Sequence, residues 1–301
     1  MLQITVWDVQ HGSASHIRTP NNRHMAVDLG DDGDNFSPLR HLHASGVGYL
    51  DTVVITHPHR DHMDDIANFH LLSPHTLWTP RHLLEADIRK GNRTADSGVV
   101  DQYLAVRQGY TSSVPATHDI TAPANFGGVN FSVFVPSQCD VANLNNHSLV
   151  VVASYAGLKI VIPGDNEAPS WKELLKNPAF VAAIRDTDVL LAPHHGREAG
   201  YCSELLDEMV KLRLVIISDG RFGDTSATGR YGYRASGWEV YDSTGYKEKR
   251  YCVTTRCDGT ITVKFGWQNP ANINEGSYLN VTTSKENPAK WASVLKSLGG
   301  Y

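Results

Sequence analysis

Three histidines and an aspartate fall within six residues in the stretch THPHRDH, Thr56 to His62. Protonated imidazoles this close repel, and buried ones lose hydration, so a bland surface or core role seldom calls for such density. Neutral imidazole nitrogen and carboxylate oxygen are the donors that suit zinc and, with more carboxylate, manganese or iron. In a loop, His57 and His59 can reach one point in space while Asp61 and His62 reach a second nearby. Two adjacent metals can be served from this loop alone.

A dinuclear site needs further donors, and three later segments offer them at similar positions. NNHSLVVV sets His147 just before an apolar run, LKIVIPGDNE sets Asp165 just after one, and DVLLAPHHG sets His194 and His195 just after another. A carboxylate such as Asp165 can bridge two cations, one oxygen to each. Each donor sits at the end of a candidate strand, where several strands can converge on one edge.

The elements that must position these residues follow from periodicity. LQITVWDV, SASHIRT, HMAVDLG and DTVVITH read as strands, with a helix at SPLRHLHASG before the last. DDIANFHLL and GVVDQYLAVRQGY are helical candidates; VNFSVFVP, SLVVVASYAG and LKIVIPGD return to strand. PSWKELLKNPAFVAAI and CSELLDEMVKL read as helices, each leading into an apolar strand, DVLLAPHHG and RLVIISDG. RYCVTT and TITVKF are expected to pair as a hairpin around Asp258 and Gly259. Strand-rich blocks followed by helix and strand alternation in each half suit two stacked sheets with helices on the outer faces.

With 301 residues, 41% hydrophobic and 20% charged, the chain can bury a substantial core. A net charge of −5 gives no global attraction to nucleic acid or anionic lipid, so any polyanion must be held by a local patch or by metal. The first residues read directly as a strand, and no apolar run is long enough to span a bilayer, so a cytoplasmic location is expected. Cys139, Cys202, Cys252 and Cys257 show no CxxC spacing and are expected to be reduced thiols. Residues 1–267 are expected to form one catalytic domain and 268–301 an extension. In the extension, Asn287 is an N-cap, Pro288 a first helical residue and Gly299 a stop. Trp291, Val294, Leu295 and Leu298 share one helical face, for docking on the body or for a homodimer contact.

On these motifs the chain resembles the metallo-β-lactamase superfamily, with its HxHxDH loop, and within it the ComEC/Rec2-like competence domains. WDVQHGSA, VDLG, THPHRDH, NNHSLV, IPGDNE, PHHG and TTRCDGTITV occur in family order over about residues 1–265. The resemblance implies an α/β chain folded as a four-layer αββα sandwich with the site along one edge of the sheets. It implies His57, His59 and His147 on one metal, and Asp61, His62 and one histidine of the HHG segment on the other, with Asp165 between. His195 is favoured for the last ligand and His194 is the alternative. Asp28 is implied as the carboxylate that orients the loop. Two divalent ions are implied, zinc first and manganese second.

The chain departs from the family at Met63, Asp64 and Asp65, where relatives carry glycines. Two carboxylates there suit the N-terminal end of a helix. His147 stands where many ComEC-like chains lack a histidine, which favours a fuller first metal site.

Two cations lower the pKa of a shared water and stabilise charge on the attacked and leaving oxygens, with Asp61 and Asp165 placing that water. For the substrate, the segment 219–251 interleaves Arg221, Arg230 and Arg234 with Phe222, Tyr231, Tyr233 and Trp238. Guanidinium forks fit phosphates and flat rings stack on bases, so a nucleotide or nucleic-acid phosphodiester is expected, cleaved by a phosphodiesterase or nuclease. The alternatives are an acyl hydrolase acting on a lactam, lactone or thioester in a narrow apolar pocket, and a regulatory module that binds metal without turnover. Of the other histidines, His11 falls nearest the expected metals; His16, His24, His41, His43, His70, His75, His82 and His118 are expected to be surface or core residues.

Overall fold

Apolar runs with no polar alternation, such as SLVVVAS and RLVIIS, belong to strands covered on both faces, and the chain folds accordingly. The computed structural model describes residues 1–33, 35–220 and 227–286. The chain starts in a first sheet with β1 (Leu2–Val6), β2 (Ala14–Arg18) and β3 (His24–Leu29), passes through α1 (Pro38–Ala44), and adds β4 (Thr52–Val54) and β5 (Thr76–Trp78). After α2 (Glu85–Gly91) and α3 (Ser97–Gly109) it enters a second sheet through β6 (Asn130–Phe134), β7 (Val150–Tyr155) and β8 (Leu158–Ile162). Helices α4 (Ala168–Leu174) and α5 (Pro178–Ile184) precede β9 (Val189–Leu191), and α6 (Ser203–Glu208) precedes β10 (Leu214–Ile217). The last elements are α7 (Thr228–Arg234), β11 (Trp238–Tyr241), β12 (Lys247–Arg250), β13 (Cys252–Thr254), α8 (Thr255–Asp258), β14 (Ile261–Trp267) and β15 (Ser277–Thr283).

Among the described residues the strands run β12-β11-β15-β14-β1-β2-β3-β4-β5 in one sheet and β13-β10-β9-β8-β7-β6 in the other. Strand period then sorts side chains between cores. Val151 and Ala153 of β7, Val189 and Leu191 of β9, and Leu214 and Ile216 of β10 point to the interface with the first sheet, where Leu2, Ile4 and Val6 of β1 meet them. Their neighbours Val150, Val152, Leu190, Val215 and Ile217 point the other way, onto Trp171, Phe180, Leu205 and Tyr231 of the covering helices. A third cluster sets Ala26 and Val53 of the first sheet against Leu39 of α1 and Tyr103 of α3. Three cores between four layers are the αββα sandwich expected from the sequence.

Several elements differ from the sequence reading. RYCVTT and TITVKF do not pair: β13 lies parallel to β10 in the second sheet, whereas β14 pairs with β1 and β15 in the first. The Asp258 carboxylate draws the chain into α8 between them, accepting from Thr254 N–H at 2.8 Å and from Arg250 at 3.1 Å. The boundary expected at residue 267 falls inside a hairpin, because β15 pairs with β14 along its whole length and with β11 on its other side. Residues 277–283 are therefore part of the first sheet. The stretch 168–184 breaks into two helices at Asn177 and Pro178, where the Asn177 side chain caps α5. The helix expected from Asn287, with Trp291, Val294, Leu295, Leu298 and Gly299, lies outside the described residues. The four cysteines are unpaired thiols. No helix among the described residues is long and apolar enough to cross a membrane.

Candidate metal centre

The site is built on strand ends. β4 stops at Val54, and Thr56 is caught by Asp28 of the neighbouring β3, whose Oδ1 accepts from the Thr56 backbone N–H at 2.7 Å and from its hydroxyl at 2.9 Å. The chain then closes a single helical turn, Arg60–His62, that brings His62 Nδ1 to 2.8 Å from Asp28 Oδ2. Glycine is required around this turn. A Cβ on Gly12, at φ +124°, would meet the Asp61 carbonyl oxygen at 2.3 Å, and one on Gly30 would meet it at 2.7 Å. The motifs WDVQHGSA and VDLG thus act as a socket for the metal loop, and Ser13 N–H donates to the same carbonyl at 3.2 Å.

Asp165 follows β8, its backbone N–H donating to Ser148 Oγ at 3.0 Å, and its two oxygens face different partners. Oδ1 lies 3.2 Å from His62 Nε2 and Oδ2 lies 3.3 Å from His195 Nε2. His195 follows β9 and donates from Nδ1 to the Ser218 carbonyl at 2.9 Å, just past β10, which fixes Nε2 as the nitrogen turned to the cluster. That Nε2 is also 3.4 Å from Asp61 Oδ2 and 3.3 Å from His62 Nε2. His57 Nε2 meets His59 Nδ1 at 3.0 Å. His57, His62 and Asp165 offer donor atoms within 4.8 Å of one another, and so do Asp61, His62 and His195. The second set is made of residues expected at the second metal, and the first joins His57 to His62 and to Asp165, the carboxylate expected between the two metals.

His147 is buried at the start of β7, where Leu149 N–H donates to the Thr56 carbonyl at 2.9 Å and so brings this segment beside the metal loop. Its Nδ1 meets His82 Nε2 at 2.8 Å, and its Nε2 is buried with no hydrogen-bond partner. A buried nitrogen with no hydrogen-bond partner is one that a cation could satisfy. The donor set therefore fits divalent metal, with nitrogen and carboxylate in the proportions zinc accepts.

The electrostatics agree. Burial opposes charge on His195, but Asp165 and Asp61 override it and raise its pKa to about 10. His62, equally opposed by burial, is lifted well above the ordinary histidine value by Asp165 and Asp28. Burial would raise Asp61 and Asp165, yet the His195 and His62 charges hold both well below the carboxylate range. Burial lowers His57 and His59. The buried carboxylates favour positive charge at the cluster. A divalent cation would supply it.

Other expected site residues stand elsewhere. His194 stands beside the cluster: Nε2 lies 3.2 Å from Arg197 Nη1 and 3.9 Å from Asp165 Oδ2, and Nδ1 lies 3.1 Å from Glu167 Oε1, whereas His195 is the histidine of the pair grouped with Asp61 and His62. Tyr231 is 1% exposed in the core under α7, packed on Tyr201, and is not free to stack on a base. Arg230 is ion-paired with Glu198 and lies 3.7 Å over the Tyr201 ring; Arg234 is ion-paired with Asp207. Tyr233 is exposed on the same helix, while Arg221 and Phe222 lie outside the described residues. The segment expected to bind substrate is instead, where described, a helix and the β11-β12 hairpin held by local pairs. Asp65 does not serve its own helix either: it is buried and caps α1, accepting from Leu39 N–H at 2.8 Å and Ser37 Oγ at 2.7 Å. Asp64 pairs with Arg60 at 2.6 Å.

Sequence reasoning set His82 among surface or core residues and gave Glu167 and Arg197 no role. A histidine in isolation carries no signal, and these three become visible only through what they touch. His11, which the sequence set near the metals, has Nε2 3.3 Å from Asp61 Oδ2. It opens, with His59 and Asp61, on a cavity of about 660 Å³ that Asp31, Asp64, Asp96, Arg60 and Arg93 also line.

No protein-family model and no curated protein matches the chain. Among solved structures, the metallo-β-lactamase fold protein YhfI from Bacillus subtilis aligns at 14% identity over 75% of this chain and 90% of its own, with a TM-score of 0.41. Zn(2+)-bound PqqB from Methylobacterium extorquens aligns at 12% identity over 71% of this chain and 87% of its own, with a TM-score of 0.40. At these identities and scores the likeness carries no argument about activity.

Proposed function

We propose that this chain is a metal-dependent hydrolase that works with two divalent cations at the strand edge, zinc first and manganese second, and that it cleaves a phosphodiester. The observation that carries the reading is the split carboxylate of Asp165, one oxygen at 3.2 Å from His62 and the other at 3.3 Å from His195. A carboxylate so divided between two donor sets is arranged to bridge. His57, with His59 and His147 beside it, would hold one cation, and Asp61, His62 and His195 the other. When bound, such cations supply an activated water near neutral pH and stabilise charge on the attacked and leaving oxygens.

The chain's own residues do the rest. Asp61 and Asp165 orient the attacking water, Asp28 fixes His62, and the Ser218 carbonyl fixes the His195 tautomer. The polar cavity beside His59 and Asp61 favours a charged or hydrogen-bonding substrate over an apolar acyl compound. Asp31 and Asp32 on its lining, which make no ion pair among the described residues, favour a compact, nucleotide-sized diester over a nucleic-acid strand, whose successive phosphates they would repel. The finer likeness to ComEC/Rec2-like domains rests on the sequence motifs alone.

The test is cleavage by purified, metal-stripped protein after zinc or manganese is restored, on DNA, RNA, cyclic nucleotides, a chromogenic phosphodiester and a chromogenic lactam. Metal-dependent cleavage of a small diester is expected. Turnover of the lactam alone would move the reaction to acyl transfer, and turnover of none would leave a binding module.

A further inference from the structure

We propose that Arg197 grips the anionic oxygens of the substrate, and that His194 and Glu167 hold it for that task. The inference takes its reaction from the hydrolytic reading above, but its residue from separate geometry.

His194 and His195 both adopt positive φ, 50° and 53°, in succession. Residues with a Cβ seldom occupy that region, and consecutive cases persist where the surrounding structure enforces them for a purpose. The effect is to send the two rings different ways, 66° apart in plane, with His195 in the cluster and His194 beside it. His194 Nε2 then stands 3.9 Å from Asp165 Oδ2 and 3.2 Å from Arg197 Nη1. A guanidinium can only donate, so Nε2 accepts and the proton of the neutral ring sits on Nδ1, 3.1 Å from Glu167 Oε1. Glu167 is fixed in turn by the amides of Asn143 and Asn145, at 2.9 and 3.0 Å.

Arg197 is thus anchored through one nitrogen, two contacts from the bridging carboxylate. Its Nη2 and Nε have no hydrogen-bond partner among the described residues. The other arginines near the centre are neutralised: Arg60 by Asp64 and Asp96, Arg93 by Asp96, and Arg230 by Glu198. Arg197 has no carboxylate at ion-pair distance among the described residues. Its charge also acts on His11, at the mouth of the cluster. A preorganised fork with donors to spare beside a hydrolytic centre matches the two non-bridging oxygens of a phosphodiester.

The test compares wild type, Arg197→Gln and Arg197→Lys, all metal-loaded, using inorganic phosphate as probe in calorimetry and a chromogenic phosphodiester in kinetics. Arg197→Gln should weaken phosphate binding roughly ten- to hundred-fold and raise KM more than it lowers kcat, with bound metal unchanged. Arg197→Lys should recover part of the loss. Equal phosphate affinity in Arg197→Gln and wild type, or a loss of metal in Arg197→Gln, overturns the proposal. If wild type cleaves no diester yet binds phosphate through Arg197, the residue stands and the reaction falls. If the diester is cleaved and Arg197→Gln behaves as wild type, the reaction stands and the residue falls.

Discussion

His62 Nδ1 lies 2.8 Å from one oxygen of Asp28 while the other oxygen takes the Thr56 backbone N–H at 2.7 Å, so one buried carboxylate fixes both ends of the histidine loop. Asp28→Ala should lower metal affinity roughly ten- to hundred-fold, as loss of a group orienting a ligand does. Chelator competition measures it, and Asp28→Asn, which keeps the shape, separates orientation from folding. Unchanged affinity in both variants would sink the role.

Asp165→Ala and His59→Ala are each expected to abolish turnover while the far-UV spectrum stays that of wild type. Both groups stand at a sheet edge, outside the three apolar clusters. Full activity in both would remove the metal-site assignment.

His82 Nε2 is 2.8 Å from His147 Nδ1 and orients the orphaned Nε2 of that buried ring. His82→Phe should reduce bound metal, with the weaker-held ion lost first in a dialysis series. Two ions retained at wild-type affinity would show that His147 is not a ligand or needs no partner.

Arg230, exposed, and Arg234, half-buried, are ion-pair partners of Glu198 and Asp207. Replacing both with alanine should change stability by no more than about 1 kcal/mol per pair and leave KM for a small diester within about two-fold. A large, selective rise in KM for nucleic acid would restore the substrate role expected from the sequence.

His16 is buried against Trp7, and burial, then His24, lowers its pKa from 6.5 to about 3. Because the folded value is below the unfolded one, its contribution is present above pH 6.5 and is lost as pH falls toward 3. The thermal midpoint should fall over that window, and His16→Leu should flatten the fall. The same slope in both proteins would place the acid sensitivity elsewhere.

The sequence by itself determined the layer order and the position of the donors. Runs such as Val150–Val152 are apolar at every residue because both faces are covered, and a ligand loop confined to six residues announces itself by composition. Asp28, His57, His62, Asp165 and His195 are legible because each ends or follows a strand, and strand ends share an edge. Only the tertiary structure decided what depends on partners distant in the chain. The different aims of His195 and His194 are set by Ser218 and Glu167, each more than twenty residues away. Tyr231 is drawn into a core by Tyr201, and β13 and β14 are parted between sheets because β10 and β1 offer separate edges. Local pattern fixes which residues can do chemistry; long-range packing fixes which way each one points.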